Sequence, residues 1–301
     1  VRPVSEPPVH HLAQVNVATL RAPIDHPSIA EFADNLATIN ALAESSPGFV
    51  WRLQTDTGDA TAIQIFDDPM TIINLTVWTG VDELRQYAYR TAHADFVRRR
   101  REWFEPGSTR VALWWVPAGT LPTVDDIRPH LDFLGRYGPS PYSFTFAHRH
   151  GPLVITPAPV DDPDVGRLFE GLNAELLAAD PAANHFWRLD PDEVDGTDGV
   201  LLVARYGGSA VGCGAVRRVG DGVGEVKRMY VEPSHRGLRI GQAVLAVLER
   251  HAARLGLGEL RLETGDEQRR AIAVYERAGY SRIDCWGEYT DSFSSRCFGK
   301  V

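Results

Sequence analysis

The chain has 301 residues, a formal net charge of -9, 44% hydrophobic residues and 24% charged residues. That length holds two domains of ordinary size, each with its own core, and the composition is that of a globular protein in water. The acidic balance argues against nucleic acid as a partner, and no apolar run reaches the length of a membrane span.

The first twenty residues carry Pro, Glu and His where a signal peptide needs a continuous apolar core, which places the chain in the cytoplasm. Alternation predicts a strand over residues 11–18, and Ile29, Phe32, Ala33, Leu36 and Ala43 set a helix over 28–43. A strand over 49–54 follows, then two short strands between 62 and 78 around Asp67, Asp68 and Pro69. Next come a helix from 82 to about 104, a strand over 110–116 and a helix over 124–137. The basic run Arg98 to Arg101 lies inside the second helix, is followed by Glu102, and reads as a solvated face. Helices crossing a mostly antiparallel sheet suggest a ferredoxin-like α+β domain over residues 1–150.

Strand alternation groups Gln14, Asn16, Arg52, Asn74, Thr76, Trp78 and Trp114 against Val15, Leu75 and Leu113. The semi-polar group fits either a ligand pocket or a wet dimer interface, the second being favoured, and His93 reads as structural. His10 with His11, and His148 with His150, lack a third ligand at recognisable spacing, so no metal is expected. The stretches HLAQVNVA at 11–18, INALAESSPGFVWRLQT at 39–55, YRTAHADFVRRRREWF at 89–104 and LWWVPAG at 113–119 resemble an uncharacterised dimeric α/β-barrel domain family. That family is related in fold to antibiotic-biosynthesis monooxygenases, and the resemblance implies face-to-face pairing of sheets into a homodimer.

Four prolines between 148 and 164 mark a boundary near His150, with Leu153, Val154 and Ile155 opening a second domain over 151–301. A hairpin over 199–205 and 210–217 turns at Gly207 and Gly208. A strand over 223–231 then passes through a Pro turn into a glycine-bearing loop that opens on a helix, on which Ile240, Val244, Val247 and Leu248 share a face. This is the layout of a phosphate cradle. The first N–H groups of a helix have no intrahelical partner and carry partial positive charge, so they hold an anion. Gly237 and Gly241 allow close approach of a diphosphate to the main chain, and Arg236 adds charge. A strand over 260–263, a helix over 268–278 ending at Gly279 and a strand over 296–300 complete the chain. Cys213, Cys285 and Cys297 are odd in number and far apart, so reduced thiols are expected.

Arg236 and Gly241 match the ends of the acetyl-CoA signature of the GNAT N-acetyltransferase superfamily, and VGCGAVRR and AIAVYERAGY resemble two more of its segments. Arg239 stands where that family has its first Gly. The resemblance implies a GNAT fold with a mixed sheet, acetyl-CoA as cofactor, and direct acetyl transfer to a small-molecule or peptide amine. It places the cofactor on Met229, Tyr230, Val231, Arg236, Gly237, Leu238, Arg239, Ile240, Gly241 and Gln242, with Tyr275 protonating the departing thiolate. For the base the alternatives are Glu225 or bulk water, and a salt-bridged Glu225 is an equal reading because Lys227 and Arg228 adjoin it. Trp286, Tyr289, Phe186 and Trp187 are candidates for the acceptor wall. The rival is a non-catalytic acyl-CoA or small-ligand binding protein.

Overall fold

The computed structural model describes residues 10–56, 58–179, 181 and 189–301. The chain divides into two compact units, Val1–Pro152 and Leu153–Val301.

In the first unit the order is β1 (His10–Thr19), α1 (Ala30–Glu44), β2 (Phe49–Arg52), β3 (Thr71–Trp78), α2 (Val81–Arg90), α3 (His93–Arg99), β4 (Arg110–Pro117) and α4 (Ile127–Tyr137). The four strands form an antiparallel sheet in the order β2-β3-β1-β4. One long helix was expected from 82 to 104, and two are present. Thr91 takes an extended backbone, its hydroxyl donates to the Tyr87 carbonyl at 2.7 Å, and the helix stops there. Between 62 and 78 a single strand forms, because Asp68 accepts from the Met70 amide and the Thr71 hydroxyl and holds the chain in a turn until β3 begins.

Pairing also corrects the expected faces. Gln14 lies opposite Thr76 and Leu113, whereas Ala13 lies opposite Val77 and Trp114. Leu113 therefore belongs with the semi-polar set and Trp114 with the aliphatic one, since directly opposed residues point to the same side. Alternation within one strand cannot fix its phase against another. The aliphatic face packs Val15, Leu75, Ala112 and Trp114 against Ile127 and Leu131 of α4, flanked by Ile63, Ile65 and Phe66. Leu12, Trp78 and Leu113 on the other face pack against Ala43, Leu84 and Tyr87 of α1 and α2. Helices of the same chain pack on both faces, while Asn74 on the second face stays exposed.

The second unit runs β5 (Leu153–Pro157), α5 (Pro163–Ala179), β6 (Gly199–Tyr206), β7 (Ser209–Gly220), β8 (Val223–Val231), α6 (Ile240–Arg254), β9 (Glu259–Gly265), α7 (Arg269–Arg277), β10 (Ser281–Arg282) and β11 (Ser295–Lys300). Its sheet order is β10-β11-β9-β8-β7-β6-β5. Gly207 and Gly208 both take positive φ, 59° and 89°, in the two-residue loop joining β6 and β7. The β8–β9 pair is parallel and is bridged by α6, so the sheet is mixed. Ile240, Ala243, Val244, Val247 and Leu248 of α6 are buried. Among the described residues no helix is long and apolar enough to cross a membrane.

The expectation of three reduced thiols is overturned. β10 and β11 pair antiparallel, the Ile283 amide donates to the Cys297 carbonyl at 3.1 Å, and the returning chain brings Cys285 within 5.2 Å (Cα–Cα) of Cys297, with which it forms a disulfide. The two cysteines stand 12 positions apart in the sequence, and only the return of β11 makes them neighbours. Cys213 remains a free, buried thiol.

Candidate functional site

The site begins where β8 stops pairing. β8 and β9 share a parallel ladder of four residue pairs, from Val223 with Glu259 to Val226 with Leu262, and no further pair follows between them. On its other edge β8 keeps to β7, but Cys213 faces Tyr230 while Ala215 faces Lys227. Two residues, Arg228 and Met229, thus oppose one, Gly214, and make a β-bulge. Arg228 takes the left-handed conformation at φ 58°, and a Cβ on Gly214 would collide with Met229 Sδ. The bulge turns Met229, Tyr230 and Val231 into the wall of a cleft of about 740 Å³, closed by Leu172, Glu175 and Leu176 of α5 on one side and Val274 and Tyr275 of α7 on another.

The loop from β8 to α6 is braced from its own side chains. Arg236 Nε donates to the Val231 carbonyl at 2.9 Å, and Nη2 donates to both Glu175 carboxylate oxygens at 2.6 and 2.7 Å. Gly237 takes φ 86°. Arg239, the N-cap of α6, adopts the left-handed conformation at φ 63° and makes no side-chain capping bond. That conformation is the physical reason a glycine suits the position, and here an arginine occupies it at a backbone cost. The first N–H to find an acceptor within the helix is that of Ala243, which donates to the Arg239 carbonyl at 3.1 Å. Ile240, Gly241 and Gln242 precede it and line the cleft, so the free end of the helix faces the cavity. Five arginines (Arg236, Arg239, Arg269, Arg270, Arg277) against two glutamates (Glu175, Glu267) give the walls a positive balance suited to a polyanion.

Tyr275 lies on the cleft wall, and burial raises its phenol above the usual range, assisted by the charge of Glu263. It therefore carries its proton at neutral pH. Burial likewise raises the Glu263 carboxyl, while Ser295 Oγ donates to it at 2.6 Å and opposes the shift. The buried Cys213 thiol is pushed up to about 12, so it is no nucleophile.

Of the residues expected to hold a cofactor, Met229, Tyr230, Val231, Arg236, Gly237, Arg239, Ile240, Gly241 and Gln242 line the cleft, and Leu238 does not. Glu225 is also absent from its walls. It is 1% exposed, accepts from Arg217 Nε at 2.8 Å, and takes the Tyr289 hydroxyl on Oε1 at 2.5 Å. Lys227 Nζ donates to the same Tyr289 oxygen at 3.1 Å, and Arg217 also reaches Glu193 at 2.6 Å. Tyr289 is thus a buried link in an ionic cluster, with Trp286 packed edge-on against it. Phe186 and Trp187 lie outside the described residues. Sequence reading left out α5 altogether, although Val165, Leu168, Leu172 and Leu176 recur at helical spacing and predict it.

Comparison with known proteins gives two family matches. Residues 169–280 match the acetyltransferase (GNAT) family, and residues 11–153 match a domain of unknown function (DUF3291). An IAA acetyltransferase of Azospirillum brasilense is 40% identical over 134 residues, 44% of this chain and 86% of that one. An uncharacterised N-acetyltransferase of Schizosaccharomyces pombe is 37% identical over 29% of this chain and 54% of its own length. The crystal structure of a candidate acyl-CoA N-acyltransferase from Klebsiella pneumoniae is 34% identical with a TM-score of 0.43, covering 49% of this chain and 96% of that one.

Proposed function

The chain belongs to the GNAT acetyltransferase family, and we propose that its second unit moves an acetyl group from acetyl-CoA directly to a primary amine, carried by a small molecule or a peptide. The observation that carries this reading is a single cleft joining the free N–H end of α6 to the protonated phenol of Tyr275.

In this reading the donor supplies an activated acyl group and a thiolate leaving group. The main chain of Gly237, Arg239, Ile240, Gly241 and Gln242 binds its diphosphate, with the arginines of the cleft adding charge. Backbone at Met229, Tyr230 and Val231 lies on the unpaired side of β8, where an N–H can donate to a carbonyl oxygen as negative charge develops on it. Tyr275 Oη gives its proton to the departing sulfur. The ion pair and hydrogen bond on Glu225 fit a residue that fixes Tyr289 and Lys227 in place, and the amine loses its proton to water. Arg236, tied to Glu175 and Val231, holds the loop in the shape the donor meets.

We read the first unit as a ferredoxin-like module, on the strength of its β-α-β-β-α-β order and its β2-β3-β1-β4 sheet. Pairing of two such modules into a homodimer is part of the same reading, and sedimentation of the full chain tests whether one forms.

Thiol release from acetyl-CoA, measured with a panel of small amines and peptides, tests the activity. Turnover that collapses in Tyr275→Phe supports the reading. Tight acetyl-CoA binding with no release on any amine, unchanged in that variant, makes the protein an acyl-CoA binding protein instead.

A further inference from the structure

Three cations lie on the α5 side of β7 and β8, and two of them have carboxylates. Arg217 is held by Glu193 and Glu225. Lys227 donates to Tyr289, itself bonded to Glu225, and lies 4.0 Å from Glu288. Arg228 has none among the described residues.

Arg228 reaches this side because the bulge inserts a residue and turns it there, through a left-handed backbone that a β-strand does not otherwise ask of an arginine. The residue is 8% exposed. Its guanidinium lies 4.0 Å from the centre of the Phe169 ring, and Nη1 donates to Asn173 Oδ1 at 2.8 Å. Nε is buried with no acceptor among the described residues. A guanidinium carries five donors, and the Nε–Nη2 edge presents two of them side by side in the plane, a match for a planar carboxylate. Burial depresses the pKa of the group, as expected for a charge out of water with no opposite charge beside it. Both elements that hold Arg228 go straight on into the cleft wall: Met229 and Tyr230 follow it on β8, and Leu172 precedes Asn173 on α5.

We propose that Arg228 is the anchor for a carboxylate on the acceptor, so that the substrates are amines that also carry a carboxylate, as amino acids do. This rests on the acetyltransfer reading given above. The acceptor's carboxylate supplies the counter-charge that the fold withholds, and its amine is then held at a fixed distance from that anchor, beside the bulge that leads to the thioester. Arg228 is in this sense a specificity residue. Phe169 and Asn173 position it by stacking on the guanidinium and occupying Nη1, and Nε has no acceptor among the described residues; Arg228 stands one residue before the cleft wall at Met229.

The test compares amino acids with their carboxamides, the same amines with the negative charge removed, by kcat/KM at saturating acetyl-CoA. The wild type is expected to favour the acids on the order of tenfold or more, and Arg228→Gln to abolish that preference, chiefly through the KM for the acid. The KM for acetyl-CoA should stay within about twofold, which separates loss of the anchor from loss of the fold. Arg228→Lys keeps the charge but loses the paired donors, and is expected to fall between the two. If Arg228→Gln fails to fold, the wild-type preference and the lysine variant still decide. Equal use of acids and amides by the wild type overturns the proposal while leaving acetyltransfer standing. Failure to acetylate any amine removes the activity itself, and the proposal with it.

Discussion

Two central strands of this protein, β1 in the first sheet and β8 in the second, treat their pairing in opposite ways. In the first unit β1 is paired over eight residues with β3 and over eight with β4, without a break. On one face of that sheet the Trp78 indole donates to the Thr76 hydroxyl and that hydroxyl to Gln14 Oε1, both at 2.9 Å. In the second unit β8 leaves β9 after four pairs and bulges against β7. Backbone groups, a tyrosine and a set of cations are left facing a cleft. A regular ladder uses up the polar groups of a strand, whereas an interrupted one leaves them for a ligand.

The comparison is broken most sharply at Tyr275. Tyr275→Phe removes one hydroxyl from the cleft wall and is expected to lower kcat roughly 100-fold or more, with the melting temperature close to that of the wild type. Steady-state kinetics beside a thermal melt checks both. In the first unit the equivalent damage is to stability alone: Leu75→Ala, at a fully buried position, is expected to cost about 2–5 kcal/mol in denaturant unfolding while leaving kcat unchanged.

Smaller effects sharpen the contrast. Arg239→Gly relieves a left-handed arginine and is expected to raise stability by about 1 kcal/mol, while removing a positive charge from the cleft and raising the KM for acetyl-CoA. A change in the first unit's stability with pH is expected from His93, which burial keeps below its usual 6.5. In the folded state it stays neutral where the unfolded chain binds a proton. Stability is therefore lost as the pH falls below about 6.5. His93→Gln should lose less of its melting temperature on acidification than the wild type does.

Much of the site was legible in order and spacing. The glycine-bearing loop, the amphipathic pattern of α6 and Tyr275 on α7 are local features, and local rules of helix ends and periodicity suffice for them. Arg239 marked itself as an intruder in a glycine pattern, and the structure gives the reason, a positive φ. Glu225 was harder to place. Nothing in its neighbours Val226, Lys227 and Arg228 reveals that Arg217 from β7 and Tyr289 from the far end of the chain close over it. The Trp114 and Leu113 assignment failed for the same reason, because the phase of one strand against another is set by pairing and not by alternation.

The sequence by itself determined that the chain has two halves, that the second carries an anion-binding helix start, and that this start belongs with a tyrosine further along in a GNAT pattern. These rest on backbone sterics and hydrophobic periodicity, which act over a few residues. Only the tertiary structure decided that Cys285 meets Cys297, that helices pack on both faces of the first sheet, and that Glu225 meets a cation while Arg228, three residues on, has no carboxylate among the described residues. Those depend on which distant segments the fold brings together, and on a single bulge that puts two consecutive residues on the same side of a strand.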